Sequence, residues 1–162
     1  MTIQGHCIFA LASIILAKRT GFSPALANTE WMIVILGCML SCLIPDIDHP
    51  RSVISQRFKI ISFWTTKIFK HRGYTHSLLS LFLYFQLLNQ FLPLESTAYQ
   101  GFRDSMIIGY ASHLIADMLT PAGIPLFWPF SWRFCFPLLY SNSLLKEILV
   151  CVLFLIYALS VF

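Results

Sequence analysis

Residues 31–50 read WMIVILGCMLSCLIPDIDHP, an uncharged apolar run that gives way to a polar motif between two prolines. The apolar part, 31–44, has the composition of a helix surrounded by lipid. The motif that follows it holds Asp46, Asp48 and His49, whose side chains are typical ligands of divalent metal ions. This stretch predicts the two features that recur along the chain: apolar helices, and ionisable residues gathered at their ends.

The composition of the whole chain agrees with an apolar environment. Of 162 residues, 57% are hydrophobic and only 11% are charged, whereas soluble domains carry about 25% charged residues. These values exclude a disordered chain, a coiled coil and a disulfide scaffold. The five cysteines are odd in number and lie mostly in apolar runs, which is typical of small buried side chains. The length predicts a single domain over residues 1–162, and the scarcity of charge predicts that this domain is embedded in a membrane.

Further apolar runs resemble 31–44 in length. A membrane-crossing helix needs about 20 mostly apolar residues, so the sequence predicts an all-α, polytopic membrane protein with four to five transmembrane helices. No Lys or Arg precedes the first run, which therefore reads as a retained helix and not as a signal peptide. Prolines interrupt 121–139, which predicts a loop or a re-entrant hairpin. The predicted spans are residues 3–17, 31–44, 77–94, 105–119 and 144–162.

The basic residues predict an orientation for these spans. Six of the eleven Lys and Arg residues lie in 51–72, and the positive-inside rule puts such a segment in the cytoplasm. Apolar residues recur there at helical spacing, which favours a cytoplasmic-side interfacial helix over an irregular basic loop. Because topology and membrane lipids account for this basic segment, we expect no nucleic-acid partner.

All five histidines and three of the four aspartates fall into four sequence segments at one predicted membrane depth. His113 and Asp117 are four residues apart, so they share a helix face and can either hold a cation or form an ion pair. Asp46 and Asp48 either bind metal or simply terminate the helix before them. The predicted metal ligands, which would face the cytoplasmic leaflet, are His6, Asp46, Asp48, His71, His76, His113 and Asp117.

Mixed imidazole and carboxylate ligands suit Zn²⁺ best, with Mn²⁺ and Fe²⁺ as alternatives. The candidates exceed what one tetrahedral ion needs, so the sequence predicts a site for one or two ions. His49, or a carboxylate that binds no metal, is the candidate general base. Arg72 is either a binding residue for an anionic substrate or one more cytoplasmic charge.

Three motifs and an early His6 carry a resemblance to a known family. PDIDHP at 45–50, HRGYTHS at 71–77 and SHLIADMLTPAG at 112–123 resemble the YdjM-like family. Its members are described as LexA-regulated, metal-dependent hydrolases bound to the bacterial inner membrane, and they are likened to zinc-dependent phospholipase C. The resemblance covers residues 1–140 and implies a multi-pass inner-membrane protein that hydrolyses its substrate with a bound metal.

Two classes of function follow from these observations. The first is hydrolysis of a phospholipid or another amphiphilic phosphoester by metal-activated water. The second is a non-enzymatic membrane protein whose divalent-metal site serves structure, sensing or transport. Transport sites usually lie near the bilayer midplane, often between repeats. Because the predicted ligands gather at one interface and the sequence has no internal repeat, transport is disfavoured.

Overall fold

The computed structural model of the chain describes residues 1–48, 73–93, 95–138 and 144–161. Within these ranges the secondary structure is helical, apart from one isolated antiparallel bridge. The predicted all-α class is therefore confirmed. Two short 3₁₀ helices cover Pro45–Asp48 and Tyr74–His76. The α-helices are α1 (Ile3–Arg19), α2 (Pro24–Asn28), α3 (Trp31–Ser41), α4 (Leu78–Phe91), α5 (Thr97–Met118) and α6 (Leu144–Ser160).

The prediction of four to five transmembrane helices is wrong for the described part of the chain, where no helix is both long and apolar enough to cross a membrane. At about 1.5 Å per residue, the 17 residues of α1 or α6 reach only about 26 Å, compared with a hydrocarbon core of about 30 Å. Helices α3 and α4 are shorter still, with 11 and 14 residues.

Helix α5 also does not qualify as a membrane-crossing helix, but for a different reason. Its 22 residues are long enough, but they include Arg103, Asp104, His113 and Asp117 as well as several glycines and serines. The multi-pass topology derived from the apolar runs is therefore not supported. The interfacial helix predicted within 51–72 lies outside the described residues.

Hydroxyl side chains define where several helices begin. Thr2 accepts a hydrogen bond from the backbone N–H of Gly5 at the start of α1, and Ser77 does the same for Ser80 at the start of α4. Such caps satisfy backbone donors that have no partner inside the helix. The cap at Thr2 fixes the first turn of α1, which carries His6.

Helix α5 lies at the centre of the fold and packs against α1, α2, α3 and α4. Its contact with α3 is close because each helix has a glycine at the crossing, Gly37 on α3 and Gly109 on α5. A Cβ atom at Gly109 would collide with the backbone of Cys38, and one at Gly37 would collide with the Ser105 side chain. This close approach brings the end of α3 beside the second half of α5.

The segment after α5 folds back over it as a non-helical loop, as the prolines predict. Ile124 and Phe134 form the isolated bridge, and the Phe136 N–H donates to the Met118 carbonyl at 2.8 Å. The Leu78 N–H donates to the Leu126 carbonyl at 2.9 Å. These bonds connect the loop to the beginning of α4 and to the end of α5, next to the 3₁₀ helix Tyr74–His76.

Candidate metal centre

His113 and Asp117 form the base of the candidate site, one turn apart on α5. They are 0% and 1% exposed, and His113 Nε2 lies 4.0 Å from Asp117 Oδ2. The spacing of four residues places both side chains on one helix face, as the sequence predicts. A carboxylate this deeply buried requires a cationic or hydrogen-bonding partner.

The two 3₁₀ helices each contribute one more ligand candidate. His76 is fully buried, and its Nε2 lies 3.4 Å from Asp117 Oδ2. Asp46 Oδ1 lies 3.6 Å from His113 Nε2 and 3.8 Å from His76 Nε2. The Asp46 side chain is 18% exposed and is the most accessible member of the cluster.

His6 enters the cluster from α1. Its Nε2 lies 3.3 Å from Asp117 Oδ1, and its ring stacks on that of His113 with the centroids 3.8 Å apart. Five of the seven predicted metal ligands therefore come together, although they derive from four separate elements.

These five residues provide two overlapping sets of metal ligands. In each set, one ligand atom from each residue lies within 4.8 Å of the others. His113 belongs to both sets, so the geometry suits either one ion or two ions that share this side chain. The sets are His6, Asp46 and His113, and His76, His113 and Asp117.

The imidazole of His113 has the tautomer that metal binding needs. Its Nδ1 lies 2.6 Å from the carbonyl oxygen of Cys42, the residue that follows α3. Because a carbonyl oxygen can only accept, Nδ1 carries a hydrogen, and Nε2 is the ring nitrogen that faces the cluster. Thr75 Oγ1 lies 3.0 Å from His76 Nδ1, within hydrogen-bonding distance of that ring.

Two buried imidazole nitrogens indicate whether the cluster fits a metal ion. Among the described residues, His6 Nδ1 and His113 Nε2 have no hydrogen-bond partner. A buried polar atom left unsatisfied costs about 1–3 kcal/mol, and metal-binding imidazoles present one such free nitrogen while the other ring nitrogen is held. The donor set therefore fits a borderline cation such as Zn²⁺.

The electrostatics give the cluster the protonation states that a cation requires. Burial lowers the pKa of His6 from 6.5 to about 4, and the neighbouring His113 adds to this effect. Burial opposes ionisation of Asp117, but hydrogen bonds with His6 and His76 hold its pKa well below its usual range. The pKa of Asp46 is also lowered, because contact with His113 outweighs its burial. Near neutral pH the cluster thus offers a neutral His6 imidazole and ionised carboxylates.

Sequence reasoning missed two groups beside the cluster. The Met1 ammonium donates to Asp117 Oδ1 at 2.8 Å, and Glu147 on α6 accepts from the backbone N–H of Thr2 at 2.8 Å and from the Thr2 hydroxyl. Glu147 thereby holds the start of α1, and with it His6. The only signal for Glu147 was its position as the single acid of an apolar helix.

The structure leaves part of the predicted site untested. His49, His71 and Arg72 lie outside the described residues. Asp48 ends the first 3₁₀ helix, but its side chain is not among those described. These four assignments remain predictions.

Comparison with known proteins gives relatives over most of the chain. Inner membrane protein YdjM from Escherichia coli (strain K12) is 43% identical over 147 residues, which cover 88% of this chain and 73% of that protein. Its counterpart of the same name from Shigella flexneri has the same identity and coverage. Uncharacterized protein YvsG from Bacillus subtilis (strain 168) is 33% identical over 151 residues, 93% of this chain and 87% of that protein. No solved structure matches.

The family described as YdjM inner membrane protein matches residues 1–162. This match and the name of the Escherichia coli and Shigella flexneri relatives support association with the inner membrane, and they confirm the resemblance carried by the three sequence motifs. The chain belongs to the YdjM inner membrane protein family.

Proposed function

We propose that this protein is a metal-dependent hydrolase of the inner membrane that acts on a phospholipid or another amphiphilic phosphoester. The observation that carries the proposal is the buried cluster of three imidazoles and two carboxylates, contributed by four separate elements. A chain so poor in charge has little reason to bury five ionisable side chains together unless they bind a cation.

A bound Zn²⁺, or an Mn²⁺ or Fe²⁺ ion in its place, supplies Lewis acidity that acidifies water and polarises a phosphoryl oxygen. The residues of the chain hold and orient the reacting groups. The carboxylate of Asp117 supplies negative charge at the base of the site, and the bond to the Cys42 carbonyl orients His113. In the set formed by His76, His113 and Asp117, Asp46 remains available for another role.

We assign the role of proton acceptor to Asp46. Its side chain is 18% exposed, whereas the side chains of His6, His76, His113 and Asp117 are at most 2% exposed. Water and substrate therefore reach the cluster from the side of Asp46. An ionised carboxylate in contact with this water can accept its proton as the water attacks.

The choice of an amphiphilic substrate rests on the surface around the helices. Large apolar side chains are exposed on α3 and α4, including Met32 at 82%, Phe82 at 54% and Phe91 at 74%. Large apolar side chains exposed close together on a surface are typical of sites that contact lipids, ligands or other proteins. Together with the inner-membrane relatives, this surface favours a substrate that is found among lipids.

Metal analysis and turnover test the proposal together. Detergent-purified protein should contain Zn²⁺, Mn²⁺ or Fe²⁺, and it should hydrolyse members of a phospholipid and phosphoester panel until a chelator removes the metal. Asp117→Asn removes a ligand from one of the two sets, so it should lose the activity and at least part of the metal. Asp104→Asn is the matched control, because Asp104 lies on the same helix but pairs with Arg103 at 2.6 Å. Protein without metal, or turnover that survives chelation, would refute the proposal.

A structural metal clamp is the second candidate, favoured by the nearly complete burial of four of the ligand candidates. Structural sites are closed by protein ligands, whereas catalytic sites keep a position open. If the site is a clamp, chelation should lower the Tm of the protein while the panel shows no metal-dependent turnover. Turnover that returns on adding metal to folded apoprotein would exclude a purely structural role.

A further inference from the structure

The loop that follows α5, residues 124–138, exposes a dense group of aromatic side chains and is called the aromatic loop. Six of the ten residues from 127 to 136 are Phe or Trp. Phe130 and Phe136 are each 63% exposed, and Trp132 is 70% exposed. The rings of Phe130 and Trp132 stack with their centroids 5.8 Å apart, so they share one surface. Large apolar side chains exposed together in this way mark a contact site for a membrane or another molecule.

The backbone beneath these rings holds the aromatic loop in place. Phe134 and Ile124 exchange both hydrogen bonds of their bridge, at 2.9 and 3.1 Å. Ile124 is fully buried and packs with Tyr110 and Leu114 of α5. Gly123, directly before the loop, has a φ of +56°, and a Cβ atom there would collide with the Phe134 carbonyl. The exposed rings therefore belong to a packed surface and not to an unstructured segment.

The charge of this segment indicates the kind of partner that it fits. Between Asp117 and Lys146 the sequence contains a single charged residue, Arg133, and no acid. Arg133 is exposed, and its guanidinium donates to the Ala122 carbonyl at 3.0 Å. Exposed Trp and Phe rings together with a cation are typical of segments that enter the headgroup region of an anionic membrane. Because the chain belongs to an inner-membrane family, this surface fits lipid better than a soluble partner.

The aromatic loop also contacts the segments that hold two of the candidate metal ligands. Trp128 packs edge-on against Tyr74 with the ring centroids 5.3 Å apart, and Tyr74 begins the 3₁₀ helix that contains His76. At the turn into the loop, the Thr120 hydroxyl donates to the Asp117 carbonyl at 2.7 Å. A lipid surface that covers the loop therefore lies next to the candidate metal centre.

We propose that the aromatic loop inserts its exposed rings into the headgroup region of a bilayer that contains anionic lipid, and that Arg133 contacts the headgroup phosphates there. A Trp side chain combines an apolar ring with a polar N–H, which suits the boundary between headgroups and acyl chains. The planar guanidinium of arginine binds phosphate oxygens through two parallel hydrogen bonds. Docking of the loop requires neither a metal nor turnover. Its consequence for catalysis rests on the proposed function: the loop brings amphiphilic substrates to the candidate centre.

Cys135 provides a position on the loop where insertion can be measured, because it is the exposed one among the five cysteines, all of which the structure describes. Its thiol is labelled with a nitrobenzoxadiazole fluorophore in the purified full-length chain, with Cys135→Ser as the labelling control. The protein is then reconstituted into vesicles of equal parts phosphatidylcholine and phosphatidylglycerol. We expect lipids that carry a nitroxide near the headgroup to quench the label. Absence of this quenching would overturn the proposal, and iodide would then show whether water or protein covers the loop.

The exposed rings themselves are tested in the same vesicles. A variant that combines Phe130→Ser with Trp132→Ser should show weaker quenching of the Cys135 label by nitroxide lipids, because the polar side chains no longer favour insertion. Phe91→Ser is the matched control, since Phe91 is also an exposed ring but lies at the end of α4. Quenching that is unchanged in the double variant would show that these rings do not hold the loop in the bilayer.

The contact of Arg133 with anionic headgroups has its own measurement. Nitroxide-labelled phosphatidylglycerol should quench the Cys135 label more strongly than nitroxide-labelled phosphatidylcholine at the same mole fraction, which reports a local enrichment of up to about fivefold. Arg133→Gln should abolish this preference. Lys146→Gln, which removes an exposed positive charge outside the loop, should keep it. Equal quenching by both lipids in the wild type, or a preference that survives in Arg133→Gln, would refute the contact.

These results are independent of the proposed function. If the protein contains no metal and hydrolyses no lipid, the proposed function fails, and the quenching of the Cys135 label still decides whether the aromatic loop enters the bilayer. If instead lipid hydrolysis is found but nitroxide lipids do not quench the label, the loop proposal fails alone.

Discussion

His113 Nδ1 donates a hydrogen bond to the backbone carbonyl of Cys42 across 2.6 Å, and this bond connects the packing of the fold to the chemistry of the site. It forms because α3 and α5 cross closely at Gly109, one turn before His113. The carbonyl follows the last turn of α3, where helix carbonyls are left without intrahelical partners. The helix crossing therefore both buries His113 and sets the direction of its free nitrogen.

Removing His113 should abolish metal binding altogether, because this residue belongs to both ligand sets. His6→Ala removes a ligand from only one set and should leave part of the metal content. We expect elemental analysis to show essentially no metal in His113→Ala and an intermediate content in His6→Ala. Equal metal content in the two variants would contradict a shared ligand.

Removing the Tyr110 hydroxyl should weaken metal binding through His76. This hydroxyl donates to the Thr75 carbonyl at 2.6 Å and so holds the 3₁₀ helix that carries His76. Tyr110→Phe should lower Zn²⁺ affinity about 10-fold and the free energy of unfolding by about 1 kcal/mol. The affinity is measured by chelator competition.

Tyr84→Phe is the control for Tyr110→Phe. The Tyr84 ring packs against Tyr110, but its hydroxyl bonds with Ser41 at 3.1 Å and not with the Thr75 segment. Removing the Tyr84 hydroxyl should lower the free energy of unfolding by a similar amount and leave the Zn²⁺ affinity unchanged. If both variants lose affinity equally, the hydroxyl of Tyr110 has no particular role in placing His76.

The sequence was a good guide to where helices form and a poor guide to how far they extend. The run 144–162 predicts α6 almost to the residue, and 31–44 correctly predicts the start of α3, which ends at Ser41. Hydropathy reports the surroundings of a segment, whereas its helical length depends on caps and on tertiary packing. Membrane crossing therefore did not follow from apolar composition.

The candidate site, too, was predictable from the sequence only in part. The spacing of His113 and Asp117 predicts a shared face, and the gathering of histidines and aspartates predicts a cluster. The groups that orient these ligands leave no such signal. A backbone carbonyl such as that of Cys42 belongs to every residue, so its role depends on the helix crossing that places it.

Acid should destabilise the apoprotein between about pH 6.5 and pH 4, the ordinary and the folded pKa values of His6. In this window the unfolded chain binds a proton at His6 and the folded chain does not, so lowering the pH favours unfolding. The lowered pKa of His6 corresponds to a decrease of up to about 3 kcal/mol in the free energy of unfolding. Denaturant titrations of chelator-treated protein across this range measure it.

His6→Gln provides the comparison for this pH profile, because it keeps the size of the side chain and cannot titrate. Its free energy of unfolding should depend less on pH above pH 4 than that of the wild type. Asp117 contributes at lower pH, since its lowered pKa adds stability that is lost as the pH falls below the ordinary carboxyl range. Parallel profiles for both proteins above pH 4 would show that His6 is not held neutral by burial.

Adding a methyl group at Gly109 should disturb both the fold and the site. The new Cβ would collide with the backbone of Cys38, which cannot move without displacing α3. Gly109→Ala should therefore destabilise the protein by about 1–3 kcal/mol and also lower Zn²⁺ affinity, because the Cys42 carbonyl moves with α3. Ile115→Ala is the control, since Ile115 lies on the same helix and is 50% exposed. If Gly109→Ala is destabilised but binds Zn²⁺ with unchanged affinity, the helix crossing does not determine the orientation of His113.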